Sequence, residues 1–74
     1  MSNRTYEIVE KIAVLSTTTR TRREVRRVRW DGSPDVFLDI RKWRQEVDGS
    51  ETPSNGVSLN AAEEAALREA LFQK

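Results

Sequence analysis

Apolar positions alternate with polar ones through the middle of the chain. Val28 and Trp30 share one parity before the stretch Asp31-Gly32-Ser33-Pro34, and Val36, Leu38 and Ile40 share one parity after it. Period-two alternation is the signature of a half-buried strand. The stretch between is turn chemistry: glycine tolerates positive φ, proline fixes φ, and Asp and Ser bond nearby backbone. Residues 20–43 therefore read as a β-hairpin. Residues 6–15, YEIVEKIAVL, read as an earlier strand, with Tyr6, Ile8, Ile12 and Val14 on one parity. Ile8, Val9, Ile12 and Leu15 also fit a helical spacing, but the β-branched content favours the strand. The run from Ile12 to Leu15 is apolar at both parities, which predicts cover on both faces at that end.

Further along, residues 44–55 are polar and punctuated by Gly49 and Pro53, the composition of a long loop. Residues 56–59 (GVSL) are long enough only for a short closing strand. A helix follows cleanly over roughly 61–72. Asn60 is a favoured N-cap and Glu63 stands where it completes a capping box, while Glu63 and Glu64 suit the positive end of the helix dipole. Ala66, Leu67, Ala70 and Leu71 form an apolar stripe that can lie on a sheet. Phe72 falls beside that stripe, either as surface or as a side chain crossing into a second subunit. The fold class expected is α+β: a four-stranded antiparallel sheet and one C-terminal helix (β-β-β-β-α), in one domain spanning residues 6–72 behind a polar N-terminal tail at 1–5.

The hairpin register decides which side chains share a face, because a slip of one residue exchanges the two faces. A two-residue turn at Gly32-Ser33 sets Arg27 opposite Leu38 and mixes charge into the apolar face. A connection longer by one or three residues gathers Val28, Trp30, Val36, Leu38 and Ile40 on one side. The other side then holds Arg23, Arg27, Arg29, Phe37, Asp39, Arg41 and Trp43. Apolar parity selects this second register, which puts Trp30 beneath the helix and interleaves arginine with aromatic rings on the opposite face.

Composition sharpens the picture. The chain has 74 residues, of which 36% are hydrophobic and 34% charged, with no cysteine. A domain of this size buries only about 60–65% of its unfolded surface, and no disulfide or thiolate site is available to staple it. A homodimer is the expected remedy. The formal net charge of +1 conceals an asymmetry: residues 20–44 hold nine basic and four acidic residues, a net +5, leaving −4 elsewhere. That calls for an anionic partner on one surface. No apolar run approaches the roughly 20 residues needed to span a bilayer, and residues 1–5 lack the apolar core of a signal peptide. The expected location is the cytoplasm, with the nucleoid as a more particular address.

Catalytic and metal chemistry find no support. Histidine and cysteine are both absent, which removes the usual metal ligands and most nucleophile–base pairs. Glu63 and Glu64 are neighbours on a helix and do not face one another. Three glycines form no phosphate loop. No enzyme activity, cofactor or small-molecule substrate is expected. Arginine interleaved with aromatic residues suits single-stranded nucleic acid, since guanidinium groups neutralise phosphates and rings stack unpaired bases. The plainer account is a solvated strand face whose arginine stems cover apolar surface or guard a sheet edge.

In order and spacing the elements resemble a known family. FLDIRKW (37–43), then a polar stretch, NGVSLN (55–60) and a helix, resembles the single-stranded-DNA-binding transcriptional coactivators of the positive cofactor four family. YEIVEKIAVLS and RRVRWDG look like that family's bacterial branch. The likeness spans residues 6–71. It implies a homodimer in which helices help form the contact, and curved sheets that bind single strands with little sequence preference. By position it assigns the DNA-contacting arginine to Arg41 and the stacking ring most nearly to Trp43. Two departures stand out. The second turn carries Gly32, Ser33, Pro34 and Asp35 where eukaryotic members have an aromatic ring and lysines. Pro53, Ser54 and Asn55 replace basic residues before the Gly-x-Ser-Leu step. Binding must then lean on the strand arginines. The expected nucleic-acid-binding residues are Arg23, Arg27, Arg29, Phe37, Arg41 and Trp43. The ligand is single-stranded DNA, with RNA left open, in transcription regulation or DNA maintenance. A different class remains beside it, a small dimeric adaptor whose arginine face meets acidic proteins.

Overall fold

The computed structural model describes residues 5–73. Four strands, β1 (Tyr6–Thr17), β2 (Thr21–Trp30), β3 (Phe37–Gln45) and β4 (Glu51–Leu59), precede one helix, α1 (Ala61–Phe72). The strands form one antiparallel sheet in the order β1-β2-β3-β4. The expected sheet and C-terminal helix are both present. Of the N-terminal tail, residues 1–4 lie outside the described residues. Thr5 is tied down, its N–H donating to Asp31 Oδ1 at 3.1 Å and its carbonyl accepting from Asp31 N–H at 2.8 Å. No helix among the described residues is long and apolar enough to cross a membrane.

The register of the central hairpin corrects the one chosen from apolar parity. Arg27 stands opposite Leu38, Arg26 opposite Asp39, Val25 opposite Ile40 and Glu24 opposite Arg41. Opposite charges meet across the strands, and such cross-strand pairs stabilise a sheet. The turn agrees. Asp31 and Gly32 have φ of 48° and 73°, and Ser33 N–H donates to Trp30 O at 2.8 Å. That is the type I′ geometry that Asp-Gly favours in hairpins. Val28 and Trp30 therefore share a face with Phe37, Asp39, Arg41 and Trp43, and Arg23, Arg27 and Arg29 share the other with Leu38 and Ile40.

The first of these faces is concave and holds the core. Trp43 pairs with Arg22, eight residues from Trp30 along β2, a span of about 26 Å in a flat strand. Yet the Tyr6 ring lies 5.5 Å from both indoles. The sheet must curl until its two ends meet over Val28. Bulges supply the curl, since each adds twist and bends its strand. Three interrupt β1, between Ile8 and Glu10, Lys11 and Ala13, and Val14 and Ser16. They also correct the parity of β1: Tyr6, Ile8, Lys11, Val14 and Thr17 face inward, opposite Trp30, Val28, Arg26, Glu24 and Arg22. Ile12 and Leu15 are exposed at this sheet edge rather than covered on both sides.

The long loop expected at 44–55 shrinks to residues 46–50, because β4 begins at Glu51. Asp48 accepts from Ser50 N–H and Oγ at 2.9 and 2.6 Å and closes the turn. Pro53 is tolerated because β4 is an edge strand. Gly56 is required by a close approach: a Cβ there would collide with Arg41 Cβ and stand 2.6 Å from Arg41 Cα.

The capping box at α1 is complete. Glu63 N–H donates to Asn60 Oδ1 at 2.8 Å and Asn60 N–H to Glu63 Oε1 at 2.9 Å. The helix lies on the convex side, and none of its residues is buried. The expected stripe is correspondingly bare: only Leu67 is half-buried, while Ala66, Ala70 and Leu71 are exposed. Trp30, expected beneath the helix, lies instead on the opposite, concave face.

Candidate nucleic-acid interface

Burial on the concave face falls on charged groups as well as rings. Arg26 is 0% exposed. Its Nε donates to Glu24 at 2.9 Å, and its two terminal nitrogens donate to the two carboxylate oxygens of Glu51 at 2.8 and 3.1 Å. The guanidinium carbon sits 3.9 Å from the centre of the Trp43 ring. Burial pushes the Arg26 pKa down, but the hydrogen bonds to Glu51 and Glu24 outweigh it and the net movement is upward. The same contact with Arg26 holds the Glu51 carboxyl below its ordinary range. One strand further, Arg41 Nε donates to both oxygens of the buried Asp39 at 2.9 and 2.8 Å. An Arg41 Nη donates to Ser54 O at 2.9 Å, and the guanidinium lies 4.9 Å from the centre of the Trp30 ring. Trp30 Nε1 donates to Ser58 Oγ at 2.9 Å, and Ser58 Oγ donates to Asp39 at 2.7 Å.

The six residues expected to form one binding face are divided between two. Phe37, Arg41 and Trp43 are concave; Arg23, Arg27 and Arg29 are convex. Most have partners within the fold. Arg27 makes a bidentate pair with Glu64 of α1, both contacts 2.9 Å, and this hydrogen bonding raises its pKa. Arg29 donates to Glu7 at 2.7 Å. Trp43 is 1% exposed, its indole N–H buried without a hydrogen-bond partner. Arg23 alone of the six cations and rings is an exposed arginine for which no ion pair occurs among the described residues.

The corrected register gives Arg23 new company. It stands directly opposite Lys42, on the same convex face, and Arg44 follows two residues along β3. Arg20 is exposed in the β1–β2 turn beside them, its carbonyl accepting from Gln45 N–H at 2.7 Å. Among the described residues none of these four cations has an ion pair. Like charges directly opposite on a strand pair are destabilising, so Arg23 and Lys42 form a place where an anion is favoured. Lys42 and Arg44 were missed as site residues although they belong to the basic cluster, because the parity argument put them on the apolar face.

The fold is a small curled antiparallel sheet with one C-terminal helix, carrying on one strand pair the exposed Arg23 and Arg44 and the half-buried Lys42, none with an ion pair among the described residues. The family model described as Transcriptional Coactivator p15 (PC4) matches residues 18–70, from β2 to near the end of α1. The chain belongs to that family. Membership supports nucleic-acid binding and transcription coactivation as its class of function. The match is to the family as a whole and leaves β1 outside it. No curated protein and no solved structure matches the chain.

Proposed function

We propose that the chain binds single-stranded nucleic acid, DNA first and RNA second, with little sequence preference, as a homodimer in transcription regulation or DNA maintenance. The reading assigns the phosphate contacts to Arg20, Arg23, Lys42 and Arg44 on the convex face. The observation that carries it is the Arg23–Lys42 cross-strand pair, two like charges with no ion pair among the described residues, in a chain whose Arg26, Arg27, Arg29 and Arg41 all have carboxylate partners. Arg27, Arg29 and Arg41 then hold the fold, while Arg23 is retained as a binding residue. The role is binding without catalysis, in the cytoplasm.

Dimer formation is supported by the apolar surface left bare. Ile12 and Leu15 on β1, and Leu71 and Phe72 on α1, are large exposed hydrophobics. A groove of about 710 Å³ runs between α1 and the sheet, lined by Ile12, Val25, Leu38, Leu67 and Leu71 among others. Titration with an oligothymidylate and, separately, with an acidic peptide of equal charge tests the ligand. Preference for the oligothymidylate is expected. Tighter capture of the peptide would instead favour the adaptor role.

A further inference from the structure

We infer that this surface reads phosphates and is blind to bases: it takes a single strand by its backbone, without stacking a base on any ring. The inference rests on the nucleic-acid reading above and specifies what part of the ligand is recognised.

Both indoles are already occupied. Trp43 has the Arg26 guanidinium 3.9 Å over its ring and Tyr6 at 5.5 Å. Trp30 is buried, with Arg41 at 4.9 Å and Tyr6 at 5.5 Å. Offering either indole to a base requires breaking the Arg26–Glu51 or Arg41–Asp39 contacts first. Phe37 lies on the concave face, five positions along β3 from Lys42 and on the opposite side of the sheet. Phe72, at 82% exposure, borders the apolar groove with Leu71 and Ile12.

The cations, in contrast, have no ion pair among the described residues. Arg23 and Lys42 are directly opposite, and Arg44 stands two residues beyond Lys42, about 7 Å along the strand. Such a cluster, two cations across the strand pair and a third along β3, can meet neighbouring phosphates of a single strand. It offers cations to phosphates, and none of its members is an aromatic ring. Backbone contacts position a strand without reading its sequence, so discrimination among the four bases should be minimal.

The test compares two ligands of equal length and charge, about 16 units each: an oligothymidylate and a strand of abasic deoxyribose phosphates. The expected dissociation constants agree within about fivefold. Loss of even one stacked base is read as a roughly 5- to 150-fold weakening, so a penalty above fivefold for the abasic strand overturns the inference while leaving nucleic-acid binding intact. Binding of neither ligand overturns the nucleic-acid reading itself. Tryptophan fluorescence should be unchanged on saturation with oligothymidylate; quenching overturns the assignment of both indoles to the core. Arg23→Gln and Lys42→Gln, both at solvent-reachable positions, should weaken the two ligands by the same factor with an unchanged circular dichroism spectrum. Equal affinity of these variants and the parent would remove the cluster from the interface.

Discussion

Replacing Arg26 by methionine should be among the most damaging single changes to this domain. Arg26 is fully buried and bonded to Glu24, also buried, and to Glu51, whose side chain keeps 26% of its exposure. Removing one partner of a buried ion pair costs about 3–5 kcal/mol, because a charge is left without compensation. Glu51 can turn partly to water, which moves the expected cost toward about 3 kcal/mol. Methionine retains contact with the Trp43 ring, so the packing term is small. A domain of this length has a total stability of roughly 4–11 kcal/mol at 0.05–0.15 kcal/mol per residue. The loss should therefore lower the melting temperature by about 12–24 °C, at 4–8 °C per kcal/mol. Urea melts followed by tryptophan emission give the number. Adding Glu24→Gln and Glu51→Gln to Arg26→Met should recover much of it, because the stranded carboxylates are then gone. The pH dependence provides a sign. Wild-type Glu51 has a depressed pKa, so its contribution is complete above the ordinary carboxylate value near 4.5 and is lost as the pH falls through its folded value. The Arg26→Met variant should move the other way and gain relative stability on acidification. A loss below about 1 kcal/mol, or an unchanged pH profile, would refute the buried network.

Other consequences follow from the same geometry. Gly56→Ala should cost about 1–3 kcal/mol, since its Cβ would meet Arg41 Cβ and the Ile40 carbonyl oxygen at 2.7 Å with backbone on the far side; a chemical melt indistinguishable from wild type would mean that β4 can shift freely. Trp43→Ala should lower stability by about 3–5 kcal/mol and affect oligonucleotide affinity only through unfolding, so a folded variant with selectively lost binding would reinstate this ring as a base contact. Leu71→Glu with Phe72→Glu should leave the monomer fold in place, as both side chains are exposed, and shift sedimentation from dimer to monomer; a wild-type protein that sediments as a single 8.5 kDa species at micromolar concentration would contradict dimer formation.

Much of the fold was legible because local signals were redundant. Asn60 and Glu63 marked the helix start, and the structure completes both bonds of the box. Alternation over 28–40 located the hairpin, and the resemblance carried by FLDIRKW and NGVSLN agrees with the family match over 18–70. The faces were not legible from apolar parity alone. That argument assumed that Leu38 and Ile40 belong with Val28 and Trp30, whereas it is Asp39 and Arg41 of β3 that share the concave side with them, beside Glu24 and Arg26. Two signals pointed to the true faces: Asp31-Gly32 is a type I′ pair, which sets the parity, and the observed register places Arg26 against Asp39 and Glu24 against Arg41. β1 resisted for another reason. Bulges every few residues replace strict alternation, so Ile12 and Leu15 drop out of pairing. β4 was hidden by Pro53 and Gly56, residues that a sheet tolerates only at an edge or a close approach.

The most direct test is the salt dependence of oligothymidylate binding, wild type against the combined Arg23→Gln, Lys42→Gln and Arg44→Gln variant. On a single strand each neutralised phosphate contributes about −0.7 to the slope of log affinity against log salt. The account predicts a slope shallower by about 2 in the triple variant, with uniformly weaker binding and an intact fold. A wild-type affinity independent of salt, or a slope that the three substitutions leave unchanged, would contradict it.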